Sequence, residues 1–86
     1  MVHTTFVTYK LFTTPMCPNC PKVKEYMKTV SIKGEMIDAS VSPGREQAIG
    51  HEIFAVPTVL FLDEQGKEIA REHSVDGIKK FLAAHP

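Results

Sequence analysis

No apolar run in this chain is longer than that at Val59–Leu62, four residues. A bilayer-crossing helix needs about 20, so no membrane span is expected. Neither sign of charge is in excess, since 10 Lys and Arg balance 10 Asp and Glu. A formal net charge of zero gives no overall field to draw in nucleic acid or an anionic lipid surface. Neither is expected as a partner. The opening stretch MVHTTFVTYKLF lacks a basic segment followed by a long apolar one, so no signal peptide is expected and the chain is placed in the reducing cytoplasm. Repeats, linkers and low-complexity tracts are also missing. The 86 residues leave room for one core, and residues 1–86 are read as a single domain. Such a chain buries roughly 60–70% of its unfolded surface, enough for stability without cross-links.

Cysteine is scarce, at two residues, but both fall in one stretch, FTTPMCPNCPKVKEYMKTV, residues 12–30. They lie three positions apart, and a proline follows each: Cys17-Pro18-Asn19-Cys20-Pro21. The flanking pattern places them. Thr5–Phe12 is rich in β-branched and aromatic residues, with Val7, Tyr9 and Leu11 alternating with polar neighbours, which predicts a strand. Thr13–Met16 reads as a loop. From Pro18 the period becomes helical. Cys20, Val23, Met27 and Val30 share one face, Lys22, Lys24, Glu25 and Lys28 the other, and Gly34 follows as a stop signal. A second strand is predicted over Glu35–Val41. Ser42 then caps a helix with Pro43 at its first position and Glu46 in its first turn, running to about Ile53. Thr58–Asp63 is nearly all apolar, as suits a strand covered on both faces. A DEQG turn joins it to an amphipathic strand, Lys67–Glu72. Ser74 caps the last helix, with Asp76 in its first turn and Ile78, Phe81 and Leu82 on its buried side. The order βαβαββα predicts an α/β fold, a four-stranded mixed sheet with helices on both faces.

Cys17 therefore sits where a strand has ended and a helix begins. With Cys17 as N-cap, Pro18 takes the first helical position, where a missing N–H costs least. The amides of Asn19 and Cys20 then face the Cys17 sulfur, and the helix dipole favours an anion there. That setting makes a thiolate a usable nucleophile. Cys20, at the head of the apolar stripe, suits the resolving role. Pro21 fits this register poorly, because its absent N–H would have bonded the Cys17 carbonyl, and an irregular first turn is expected. In a reducing compartment a close Cys pair is more often catalytic or metal-binding than structural. His3, His51, His73 and His85 contain no His-x(3–5)-His pair, and there is no second Cys-x-x-Cys, so no metal site within one chain is assigned. A redox-inert buried pair, and a metal or cluster shared between two chains, stand as alternatives to dithiol–disulfide chemistry. The isolated histidines are read as surface residues.

Cys17-Pro18-Asn19-Cys20 after a first strand, followed by IFAVPTVLFLDEQGKEIA at 53–70, resembles the thioredoxin superfamily. Val56-Pro57-Thr58 fills the place of that family's Pro-Thr step before a buried strand, Glu64-Gln65-Gly66 its hairpin, and DGIKKFL at 76–82 its C-terminal helix. The resemblance covers essentially the whole chain in a minimal form and implies a small prokaryotic thioredoxin- or glutaredoxin-like redoxin. It implies a cis Pro57 lying against the cysteine pair, with the Val56 backbone free to pair with an incoming peptide as an added strand. The departures are specific. Thioredoxins carry Trp where this chain has Met16, and a buried Asp where it has Leu11, so another acceptor, water being the candidate, must take the Cys20 proton. Glutaredoxins have a Gly-Gly-x-Asp glutathione clamp before the last helix. Here Glu72, His73, Ser74 and Val75 stand there, with only Asp76 as a remnant.

The resemblance implies a cytoplasmic protein-disulfide reductase acting on disulfide-containing proteins. Cys17 attacks, Cys20 resolves, and a separate thioredoxin-reductase-like enzyme restores the dithiol. No bound cofactor is needed, and a monomer is expected. Pro18 and Asn19 complete the active-site motif. Met16 and Phe54 are read as an apolar rim for substrate peptides, with plain core packing as the alternative. Lys22, Lys24 and Lys28 read as a solvated face, or as a docking patch for acidic partners. The alternative functions are a glutathione-dependent glutaredoxin and a non-enzymatic dimer sharing a metal or cluster through the two cysteines.

Overall fold

The run TVLFL gives the fold its centre. In the computed structural model, which describes residues 7–84, it forms a strand buried along its whole length. The elements are β1 (Thr8–Thr13), α1 (Cys20–Met27), β2 (Gly34–Asp38), α2 (Gly44–Gly50), β3 (Thr58–Leu62), β4 (Glu68–Glu72) and α3 (Val75–Ala84). This is the predicted βαβαββα order, in a four-stranded mixed sheet of order β2-β1-β3-β4. β1 pairs parallel with β2, while β3 runs antiparallel to both β1 and β4. Thr5 and Phe6 of the predicted first strand lie outside the described residues, as do His3 and His85.

Successive side chains on a strand point to opposite faces, and here each face has its own core. Tyr9 and Leu11 of β1, with Val59 and Phe61 of β3, pack against Val23 and Met27 of α1 and Ile78 and Phe81 of α3. The Phe61 and Phe81 rings stack with centroids 4.0 Å apart. Phe12, Leu60 and Leu62 face the other way, onto Ile37 of β2 and Ala48 of α2. Helices α1 and α3 therefore cover one face and α2 the other. Each of these fully buried large side chains contributes about 1.5–3 kcal/mol of burial.

Element ends depart from the sequence pattern where local hydrogen bonds decide them. β2 stops at Asp38 rather than Val41. The Asp38 carboxylate accepts the backbone N–H of Ser40 at 2.9 Å and also its hydroxyl, which turns the chain. Ser42 does not cap α2. The Ser42–Pro43 peptide is cis, Pro43 occupies the cap position, and the Ser42 hydroxyl donates to Glu46 Oε2 at 2.8 Å. α2 ends three residues before Ile53 in a Schellman motif: Glu52 N–H bonds Ile49 C=O and Ile53 N–H bonds Ala48 C=O, both within 3.0 Å, with Glu52 at φ 55°. Gly34 is no helix stop. It opens β2 against the Tyr9 ring, which a Cβ there would strike. Gly44 likewise lets α2 approach the backbone of Asp38. Ser74 does cap α3, its hydroxyl accepting the Gly77 N–H at 3.1 Å.

Candidate active site

Pairing brings three chain segments to one end of the sheet. β1 ends at Thr13, and a short turn, closed by Cys17 N–H on Thr14 C=O at 3.2 Å, delivers Cys17. Thr58 at the start of β3 pairs with Phe12, and Glu72 at the end of β4 pairs with Val59. Pro57, one residue before β3, and His73, one after β4, therefore share the end that carries Cys17. A cleft of about 390 Å³ opens near this end, lined by Asn19, Lys22 and Val23 of the α1 start and by His73, Ser74 and Asp76.

Cys17 and Cys20 are joined by a disulfide, with Cα atoms 5.4 Å apart. Cys17 is 9% exposed and Cys20 2%, so the outer sulfur is the one predicted to attack. The helix start differs from the prediction. α1 begins at Cys20 with Asn19 as its cap, and neither Cys17 nor Pro18 is helical. Pro21 accounts for the shift. A helix from Pro18 would lose the bond of residue 21 to the Cys17 carbonyl. In a helix from Cys20, Pro21 is in the first turn, where no N–H has an intrahelical acceptor. The expected irregular turn is thus a non-helical Pro18–Asn19 turn outside the helix. The disulfide still ties the Cys17 sulfur to the first helical residue, within reach of the dipole's positive end.

The Val56–Pro57 peptide is cis. Pro57 is buried, Val56 half-buried. Among the described residues, no hydrogen bond engages the Val56 backbone. Met16 and Phe54 are 89% and 90% exposed, which rules out core packing for both. Phe54 borders a shallow groove lined by Ala39, Ile49, Ile53 and Val56. Leu11, at the position of the thioredoxin acid, is 0% exposed and packs with Val23 and Val59. Lys22 and Lys28 point into solvent, Lys28 pairing with Glu25 at 3.6 Å. Among the described residues, no three His, Cys, Asp or Glu side chains converge as a metal site would require.

Two residues near the site had no signal in the sequence. His73 Nδ1 lies 3.0 Å from Thr58 Oγ1 and 3.4 Å from the Pro57 carbonyl oxygen. The Arg71 guanidinium donates to the carbonyls of His51 and Glu52 at 2.8 and 3.0 Å and to both Glu68 carboxylate oxygens at 2.9 Å. Those bonds hold the Glu68 carboxyl below the ordinary glutamate range. Both side chains reach across the fold to backbone carbonyls, which no residue pattern announces.

The glutaredoxin family model matches residues 9–66. A thioredoxin of Methanocaldococcus jannaschii is 38% identical, over 88% of this chain and 96% of its own length. A prophage-derived thioredoxin-like protein of Bacillus subtilis is 33% identical over 66% of this chain and 69% of its own length. Among solved structures, thioredoxin 1 of Thermosipho africanus superposes with a TM-score of 0.67 at 27% identity, covering 91% of this chain and 97% of that one. Fasciola hepatica thioredoxin shares the fold at a TM-score of 0.76 and 22% identity, covering 93% and 81%. With a Cys-x-x-Cys disulfide at the helix start and a cis-proline at the same end of the sheet, the chain belongs to the thioredoxin superfamily, as a small thiol–disulfide oxidoreductase of the thioredoxin and glutaredoxin type.

Proposed function

We propose that this chain is a cytoplasmic protein-disulfide reductase in which Cys17 attacks and Cys20 resolves. The observation that carries this reading is the reactive pair's place at the sheet end that also presents the unbonded backbone of Val56 before cis Pro57. An extended substrate segment pairs with that backbone as an added strand, and exposed Met16 and Phe54 supply an apolar rim beside it. In the reduced protein the Cys17 thiolate attacks one sulfur of a substrate disulfide. One S–S bond forms, one breaks, and the substrate thiolate that leaves takes a proton from water. Cys20, deprotonated, then attacks Cys17 Sγ. The Cys17–Cys20 disulfide forms and the second substrate thiol departs. The substrate gains two electrons, the protein loses two, and a separate thioredoxin-reductase-like enzyme returns them with two protons. No bound cofactor takes part, and the unit is a monomer.

The test replaces Cys17 by Ser and follows reduction of a protein disulfide with dithiothreitol as terminal reductant. Activity must vanish, since no other thiol can attack. Activity that persists would end this reading. Offering glutathione and a thioredoxin reductase separately as electron source to the unmodified protein decides the donor. The reductase arm is expected to support turnover. Turnover with glutathione alone would favour the glutaredoxin mode, which the match to that family's model over residues 9–66 keeps in view. A stoichiometric metal or a dimeric mass would point to the shared-metal alternative instead.

A further inference from the structure

The segment between α2 and β3 carries Phe54, Ala55, Val56 and Pro57, and Arg71 of β4 and His73 just after it hold its two ends. Arg71 bonds the carbonyls of His51 and Glu52 at the upstream end. At the downstream end the Thr58 hydroxyl donates to the Ala55 carbonyl at 2.6 Å, and His73 Nδ1 lies within reach of both that hydroxyl and the Pro57 carbonyl. The direction of this relay follows from which groups can donate. The hydroxyl has one proton, and the Ala55 carbonyl, which can only accept, takes it. The Pro57 carbonyl can only accept as well. Nδ1 therefore carries a proton and donates to both oxygens, and the outer ring nitrogen is left outside the relay. The proton on Nδ1 is present in one neutral tautomer and in the imidazolium alike, so the link survives either charge state.

We propose that His73 is a positioning residue for peptide docking. Its Nδ1–H clamps the Ala55–Thr58 turn from outside and so sets the direction in which the Val56 backbone meets an incoming strand. The inference rests on the strand-pairing reading above. His73 does not touch the sulfurs' chemistry; it acts through Thr58 and Pro57. Its own side chain is exposed, so replacing it opens no cavity. The substrates that feel it are those long enough to pair with Val56, which a small disulfide is not.

The experiment compares kcat/KM for a protein disulfide with kcat/KM for a small aromatic disulfide, in the unmodified chain and in His73→Leu and His73→Asn. Leucine keeps bulk and removes the donor; the asparagine amide N–H falls near the Nδ1 position. Losing one hydrogen bond from the docking geometry is expected to lower the protein-to-small ratio about 3- to 10-fold in His73→Leu, chiefly through KM. His73→Asn is expected to recover it to within about twofold. Thr58→Val, which removes the middle of the relay, is expected to lower the ratio in the same direction. A ratio in His73→Leu within about twofold of the parent would overturn the proposal. So would an Asn variant as impaired as the Leu one, since the donor would then be irrelevant. Failure of the unmodified chain to reduce the protein disulfide at all would instead overturn the reductase reading, and the two failures are distinct.

Discussion

Replacing Arg71 by Met tests whether backbone carbonyls or the neighbouring carboxylate give that guanidinium its worth. Arg71 makes two bonds to Glu68 and one each to the carbonyls of His51 and Glu52. A hydrogen bond to a charged group is worth about 1.5–3 kcal/mol when shielded. The Arg71 side chain is 28% exposed, so solvent screening cuts that by about half, and two carbonyl bonds come to about 2 kcal/mol. Methionine keeps the aliphatic stem, so packing loss is small. A loss of that size in a chain this short lowers Tm by about 8–16 °C. Glu68→Gln keeps both carbonyl bonds and gives up only a partly exposed ion pair, for less than about 1 kcal/mol. Urea titration followed by far-UV circular dichroism at pH 7 should therefore rank Arg71→Met well below Glu68→Gln. Equal losses would refute the reasoning, because the carbonyl bonds would then contribute nothing. The pH dependence has a definite sign. Hydrogen bonds from Arg71 hold the Glu68 carboxyl below its ordinary value of 4.5. Its contribution is full above that pH and is lost as the pH falls through the lower folded value. The stability gap between parent and Glu68→Gln should close in acid.

Glu52 holds the left-handed end of α2 at φ 55°, where a Cβ costs about 1–2 kcal/mol. Glu52→Gly should therefore raise stability by about 0.5–1 kcal/mol after the entropy of glycine is subtracted, measured by the same urea titration. Gly44→Ala should do the reverse, because its Cβ would press on the Asp38 backbone carbonyl. A loss of about 1–3 kcal/mol is expected, and a Tm unchanged within error would contradict the close approach. In the reduced protein, iodoacetamide followed by peptide mapping should find Cys17 alkylated before Cys20, as exposures of 9% and 2% require. With no buried acid at position 11, resolution of a trapped mixed disulfide should track the Cys20 thiolate fraction, rising about tenfold per pH unit below the thiol pKa. A rate flat between pH 6 and 8 would mean that an internal base takes the proton.

The fold was legible because its signals are periodic. TVLFL has a single polar residue, Thr58, and so no solvent face, and Cys20, Val23 and Met27 repeat at helical spacing, so the central strand and first helix read directly. Ser74 read correctly because a cap is a local event between a hydroxyl and an amide three residues on. The ends that misread were settled by competition between local bonds. The Ser42 hydroxyl could accept a backbone amide as a cap or donate to a neighbouring carboxylate, and it donates to the Glu46 side chain. Pro18 and Pro21 each fit a helix N-terminus, and the missing N–H of Pro21, which a helix starting at Pro18 would need, decides for the second. At the site, Cys17 and Cys20 were legible from spacing and Pro57 from its resemblance to a known step. His73 and Arg71 were not, since both act on main-chain oxygens 16 to 20 residues away.

Shifting the helix start from Pro18 to Cys20 also changes how the two sulfurs come to differ. With Cys17 as cap, the asymmetry would lie in amides aimed at one sulfur. With Asn19 as cap, Cys20 is itself the first helical residue and Cys17 lies before the helix. Both sulfurs then lie near the dipole's positive end, and charge stabilisation alone separates them less. What separates them is burial. Cys20 heads the face that runs through Val23 and Met27 into the apolar cluster, where Leu11 also lies, whereas Cys17 closes a turn after β1 and keeps 9% exposure. Burial in apolar surroundings disfavours a charged sulfur in general, and Cys20, at 2% exposed, is the more buried of the two. In the proposed mechanism the more exposed Cys17 is therefore the attacking sulfur, and Cys20 meets little besides its partner. That arrangement suits a resolving thiol, which must react with a sulfur already held beside it and with nothing in solution.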